Sequence, residues 1–163
     1  MEALMRRKDR EITDIDAVFD VVDRCGVLRL GMVDHGKPYV VALNYGYERD
    51  DDALILYFHS ARAGRKIDVL KDDPSVFFEM DCDGRLVPGT PENPCKYGWH
   101  FDSVTGSGEV EFVEDDAEKA HALDLIIEQA EGRLVDYSYP EASLRRTCIG
   151  KIRSTDIAGK HYE

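Results

Sequence analysis

The run Tyr57-Phe58-His59-Ser60-Ala61-Arg62-Ala63-Gly64-Arg65-Lys66 changes character midway. It closes a strand-like segment, Leu54 to Phe58, and opens a helix-like one, Lys66 to Lys71. The chain carries a formal net charge of −12, yet Arg62, Arg65 and Lys66 gather here with no acid among them. Positive charge beside a helix start, next to Ser60 and unpaired backbone N–H groups, forms an anion site. In so acidic a chain this reversal of sign suggests a bound phosphate.

Strand patterns dominate on both sides of it. Val27 to Val33, the turn Asp34-His35-Gly36-Lys37 and Pro38 to Tyr47 read as a hairpin. Glu48 to Asp52 reads as the next turn, and Ala53 to Phe58 as the third strand. After the basic segment a helix runs to about Asp72, Asp73-Pro74 breaks it, and Ser75 to Cys82 is the fourth strand. Asp83 to Gly98 holds Pro88, Pro91 and Pro94 with Gly84, Gly89 and Gly98. A connection of roughly 15 residues is long for a compact domain, and long loops often serve as lids or binding loops. Trp99 to Val113 is then a long strand bent around Gly106 and Gly108. Cys148 to Ile157 is the last strand.

Two amphipathic helices frame the strands. The first has Thr13 as N-cap, Ile15, Val18, Phe19 and Val22 as its apolar stripe, and Gly26 as its stop. The second starts at Asp115 with Glu118 three residues on, turns Ala120, Leu123, Ile127 and Ala130 inward, and ends at Gly132. Arg133 to Leu144 reads as irregular. About six strands and three short helices in this order favour a small antiparallel barrel with helices outside.

The totals limit the function classes. A chain of 163 residues with 43% hydrophobic content fits one folded domain spanning residues 1–163. Its 33 acids against 21 bases disfavour a nucleic-acid or anionic-membrane partner, which wants a broad basic face. No run approaches the ~20 apolar residues of a membrane helix. The charged stretch Met1 to Arg10 lacks the apolar core of a signal peptide. Cys25, Cys82, Cys95 and Cys148 are far apart and read as reduced thiols of a cytoplasmic protein. No metal site is expected: Cys82, Cys95 and His100 match no zinc spacing, and Glu79, Asp81 and Asp83 alternate as the polar face of a strand.

Order and spacing from Thr13 onward resemble the flavin-binding split-barrel group that includes pyridoxamine-phosphate oxidase, and within it the nitroimidazole-resistance type. Pro38 to Tyr47 looks like the family's second strand and Tyr57 to Lys66 like its phosphate loop. Ser103-Val104-Thr105-Gly106-Ser107-Gly108 looks like its bent strand, and Ile157 to His161 like its terminal segment. The resemblance implies a mainly β fold, a six-stranded antiparallel split β-barrel with flanking helices. It implies a homodimer with FMN between the subunits and an oxidoreductase acting on a small molecule, a nitroaromatic being the candidate. Carried over by position, Ala42, Leu43 and Asn44 run beside the flavin ring and Ser103 reaches it. His59 and Ser60 contact the ribityl or phosphate portion, and Gly64, Arg65 and Lys66 hold the phosphate. The final residues, Gly159 to Glu163, lack the substrate-reading Arg-His motif of true pyridoxamine-phosphate oxidases, so a vitamin B6 substrate is not expected.

Plainer readings stand beside these. The basic cluster also fits a solvated helix face. His59 is either a hydrogen-bonded structural histidine or the catalytic residue: a flavin contact, a proton donor, or an axial ligand in the alternative of a non-catalytic flavin- or haem-binding protein. Tyr97 and Trp99 pack in the core or dimer interface, or stack on the partner's flavin. Arg145, Arg146, Lys151 and Arg153 form either a surface balanced by acids or a site for a substrate anion.

Overall fold

Alternation of apolar and polar side chains along extended segments builds most of this molecule. The computed structural model describes residues 6–162. The first five residues of the charged N-terminal stretch, and Glu163, lie outside the described residues. The strands are β1 (Glu11–Ile12), β2 (Leu28–Asp34), β3 (Lys37–Leu43), β4 (Gly46–Asp50), β5 (Ala53–Ala61), β6 (Ser75–Val87), β7 (Gly98–Val113), β8 (Thr147–Ser154) and β9 (Asp156–Tyr162). The helices are α1 (Ile15–Arg24), α2 (Arg65–Asp72), α3 (Asp116–Glu131) and α4 (Glu141–Arg146). Every pairing is antiparallel, in the order β3-β2-β6-β7-β8-β5-β4, with β9 beside both β7 and β1. The mainly β class with flanking helices holds. The six strands expected are nine among the described residues, and the path stays open between β3 and β4.

The split lies along β7. One edge of β7 pairs with β6 from Gly98 to Glu109. The other edge is divided: Phe101 to Ser107 pair with β9, and Val110 to Val113 pair with β8. Gly106 and Gly108 stand where the partner changes. A Cβ on Gly106 would strike the Phe78 ring, and one on Gly108 would strike Ile152. The expected bend is therefore a steric need of this crossing. The segment Cys148 to Ile157, expected as one strand, is two: the chain turns at Thr155 so that β8 and β9 serve different stretches of β7.

Other boundaries move for identifiable reasons. The expected strand Pro38 to Tyr47 breaks at Asn44 and Tyr45. Tyr45 is buried, and its hydroxyl donates to the carbonyls of Val22 (2.6 Å) and Cys25 (2.9 Å), which turns the chain from one end of the sheet order to the other. Glu48 to Asp50, expected in a turn, belong to β4, and the turn is Asp51-Asp52 with Asp51 at φ 54°. The Asp34 to Lys37 hairpin forms as expected, with His35 and Gly36 both at positive φ. The fourth strand runs on to Val87, so the first five residues of the expected long loop, Asp83 to Val87, belong to β6 and its hairpin with β7. Pairing skips between Cys82 and Arg85, where Asp83 adopts φ 57°, and resumes to Val87.

Helix α1 is capped by Asp14 rather than Thr13: the Asp14 carboxylate accepts from the Asp16 N–H at 3.1 Å, and Cys25 rather than Gly26 is the C-cap. Helix α3 starts and stops as expected, with Asp115 accepting from the Glu118 N–H at 2.8 Å and Gly132 left-handed. Its inward stripe is corrected. Lys119, Ala122 and Ile126 are buried, while Ala130 is exposed. Gly46 of β4 admits the α3 backbone at Leu125 and Ile126, which fixes which side docks. The stretch expected as irregular contains α4.

Leu28, Leu30, Leu54, Leu56, Phe58, Phe78, Met80, Val104 and Ile152 are fully buried and fill the barrel, with α1 packed against them. Among the described residues no helix is long and apolar enough to cross a membrane.

Candidate functional site

The end of β5 and the start of α2 form one corner. Alternation buries Phe58 and turns His59 outward; His59 pairs with Ile149 and Ser60 with Cys148 on β8. Gly64 caps α2 at φ 131° and ψ 164°, a conformation open to glycine and strained for other residues. The N–H groups of Ile67 and Asp68 return to the Gly64 carbonyl. Those of Arg65 and Lys66 open the helix, where no carbonyl of the preceding turn faces them.

The two cations expected to hold a phosphate differ. Arg65 donates to Asp34 through Nε (2.8 Å), its Nη2 lies 2.7 Å from the same carboxylate, and its guanidinium lies 4.2 Å from the Tyr39 ring centre. It therefore ties α2 to the β2–β3 hairpin. Lys66 is half-buried with its ammonium 5.4 Å from the Phe58 ring centre, and it makes no ion pair among the described residues. Burial pushes its pKa down. Beside it, Arg62, Lys71, Lys119, Thr147 and Cys148 line a cleft of about 140 Å³. Arg62 donates to the Arg145 carbonyl at 2.7 Å. Sequence reasoning missed Lys119, which is only 5% exposed. Its signal was its place three residues before Ala122 and seven before Ile126, on the face that proves to be inward.

The remaining predicted residues stand on other elements. Ala42 and Leu43 end the edge strand β3, and Asn44 follows it; Ala42 and Asn44 are exposed and Leu43 is half-buried. Ser103 is buried on β7, opposite Asp81 and Lys160. Register and alternation place Ala42 and Ser103 on the same outer face of the sheet, with β2 and β6 between them. That face carries an exposed apolar row: Gly31 is paired with both Val40 (61% exposed) and Phe77 (56% exposed). The monomer thus gathers His59, Ser60, Gly64, Arg65 and Lys66 at one corner, and Ala42 and Ser103 on a sheet face.

Residues 14–161 match the family model described as pyridoxamine 5'-phosphate oxidase. The chain belongs to this family. A crystal structure of a candidate 5-nitroimidazole antibiotic resistance protein from Bacteroides thetaiotaomicron is similar at 31% identity and a TM-score of 0.78, covering 92% of this chain and 85% of that one. The flavocytochrome Anf3 from Azotobacter vinelandii shares the fold at 19% identity and a TM-score of 0.77, over 99% of this chain and 73% of its own. A FAD and heme binding protein from Mycobacterium smegmatis does so at 20% identity and a TM-score of 0.72, over 94% and 74%. Compared with the curated proteins, the sequence matches none.

Exposed Tyr97 and Trp99 do not pack in this chain's own core. The second basic patch is largely balanced, as a surface would be: Lys151 meets Glu118 (2.7 Å), Arg153 meets Asp50 (2.8 Å) and Arg145 meets Glu141.

Proposed function

We propose that this chain is a homodimeric FMN-dependent oxidoreductase that passes electrons between a donor and a small organic molecule, with nitroaromatics of the nitroimidazole type as the leading substrate class. One observation carries the proposal: a glycine-started helix presents its first N–H groups beside a half-buried lysine that has no acid partner among the described residues. Such an arrangement suits a phosphate monoester tail. FMN, when bound, supplies the redox chemistry.

The chain's own residues grip and orient. The Arg65 and Lys66 N–H groups, the Lys66 ammonium and the Ser60 hydroxyl hold the phosphate. Unpaired backbone groups on the free edge of β3, at Ala42 to Asn44, meet the polar rim of the ring, and Ser103 approaches from β7. His59, exposed at the end of β5, supplies a proton to the substrate. The Val40–Gly31–Phe77 row supports the homodimer, since a second copy covers exposed apolar surface. Four free cysteines support a reducing, cytoplasmic setting.

An absorption spectrum and ligand mass of the purified protein test the reading. Flavin bands with FMN mass support it, and reoxidation of the reduced flavin by a nitroimidazole extends it to the substrate. A colourless protein that gains no thermal stability from FMN refutes it. A Soret band assigns the haem-binding alternative instead.

A further inference from the structure

The cleft that adjoins the α2 corner lies where β5, β7 and β8 meet the ends of the sheet. Arg62 follows β5, Val113 ends β7 with Glu114 after it, and Thr147 and Cys148 begin β8. Lys71 comes from α2 and Lys119 from α3. Three cations and one acid thus line about 140 Å³, a local charge of +2 in a chain whose net charge is −12. Burial raises the Cys148 pKa, and Arg62, Lys119 and Lys71 all act against it, so the three charges converge on that sulfur.

Lys119 is the observation that points to a ligand. It is 5% exposed. Its one ion pair, with Asp116, spans 3.8 Å, beyond hydrogen-bond distance, and its ammonium donates to no other group among the described residues. A buried ammonium without acceptors carries an uncompensated desolvation cost. It also stands in the first turn of α3, the end of a helix that favours anions and disfavours cations. Glu114 is exposed and makes no ion pair among the described residues, so it does not answer the buried charge. Arg62 donates to the Arg145 carbonyl at 2.7 Å, which anchors it beside the cleft.

We infer that this cleft binds one small, doubly charged oxyanion of the phosphate class, at a site separate from that of the flavin phosphate. Lys119 donates from the buried side, and exposed Arg62 and Lys71 close over the anion from the solvent side. The cleft has the room of roughly four to five waters at about 30 Å³ each, which admits one tetrahedral oxyanion and excludes a nucleotide. A dianion matches the +2 lining and supplies the acceptors that Lys119 lacks. The groups proposed to grip the flavin phosphate are Ser60, Lys66 and the first N–H groups of α2, and neither Ser60 nor Lys66 lines this cleft. The inference stands whether or not the chain binds flavin.

The test uses the full chain, titrated calorimetrically with inorganic phosphate at constant ionic strength, with and without FMN. One phosphate should bind per chain in both states, because FMN does not enter the cleft. Lys119→Met keeps the aliphatic stem and removes the charge, and it should weaken phosphate binding by more than tenfold. Lys66→Ala should change it by less than about threefold, the reach of a screened neighbouring charge. In the wild-type protein, phosphate should slow alkylation of Cys148 while exposed Cys95 reacts as before, which needs no variant to fold. Absence of saturable binding, displacement of phosphate by FMN, or an unchanged affinity in Lys119→Met overturns the inference. A chain that takes phosphate in this way but takes no FMN keeps the cleft site and loses the flavin reading alone.

Discussion

The α2 corner and the barrel end are opposites built into one acidic domain. At the corner Arg62, Lys66, Lys71 and Lys119 surround one half-buried thiol, with Glu114 lining the same cleft. At the barrel end Asp83 and Asp102 share one guanidinium. The corner is loosely held: Lys66 sits without an ion pair among the described residues, and its folded position costs it solvation. The barrel end is cross-linked: Arg24 at the end of α1 is ion-paired with Asp83 of β6 and Asp102 of β7, and His161 of β9 is hydrogen-bonded to Asp102. A residue that can be removed without loss of stability is free to serve a ligand, whereas a residue that joins four elements is bound to the fold.

The largest expected effect comes from Asp102→Ala. It leaves Arg24 and His161 without their shared acceptor, at a cost of about 3 kcal/mol in a urea unfolding titration. An unchanged midpoint would show that the barrel end is not cross-linked as described. Lys66→Ala should weaken FMN binding by roughly 10- to 100-fold, the worth of one charge-assisted contact, with the unfolding midpoint held or raised. Should stability fall instead with FMN affinity intact, the lysine belongs to the fold and the contrast fails. Arg65→Ala should weaken FMN binding by only about threefold, because Asp34 already holds its guanidinium. Replacing both cations together should cost about 2–3 kcal/mol of FMN binding, the sum of the two single effects, and normal flavin occupancy in that double variant removes the proposed phosphate role.

The smallest expected effect is a pH signature. Burial pushes the Asp102 carboxyl upward, but hydrogen bonds from His161 and Arg24 more than offset it, so it stays below the usual carboxylate range. A depressed carboxyl contributes stability above its unfolded pKa of about 3.9 and loses it as pH falls through the lower folded value. The stability gap between wild type and Asp102→Asn should therefore be constant at neutral pH and close below about pH 4. A gap that widens on acidification contradicts the assignment.

What the sequence reveals follows the same division. Most of the corner is contiguous: the strand end, Gly64, Arg62, Arg65 and Lys66 lie within ten residues, and local periodicity places them, whereas Lys119 comes from α3. The Asp34 to Lys37 turn and the caps of α3 are equally local. The barrel end joins positions 24, 82, 83, 100, 102 and 161, and no spacing rule connects them; strand register does. Boundaries failed where tertiary needs override pattern. Tyr45 leaves its strand to reach α1 carbonyls. The inward stripe of α3 includes Gln129, whose amide donates to the carbonyls of Val22, Asp23 and Cys25, so an apolar count selects the wrong face. The turn at Thr155 carries neither glycine nor proline, and it splits one apparent strand because β7 offers two separate berths.

The pairing of β1 with β9 has a consequence for how the chain acquires its shape. Glu11 meets Lys160 and Ile12 meets Gly159, so the earliest strand waits for the latest. During synthesis the Phe101 to Ser107 stretch of β7 keeps one edge bare until β9 has emerged. Such a topology makes folding slow and leaves the nascent chain dependent on protection from neighbours, however stable the finished domain becomes.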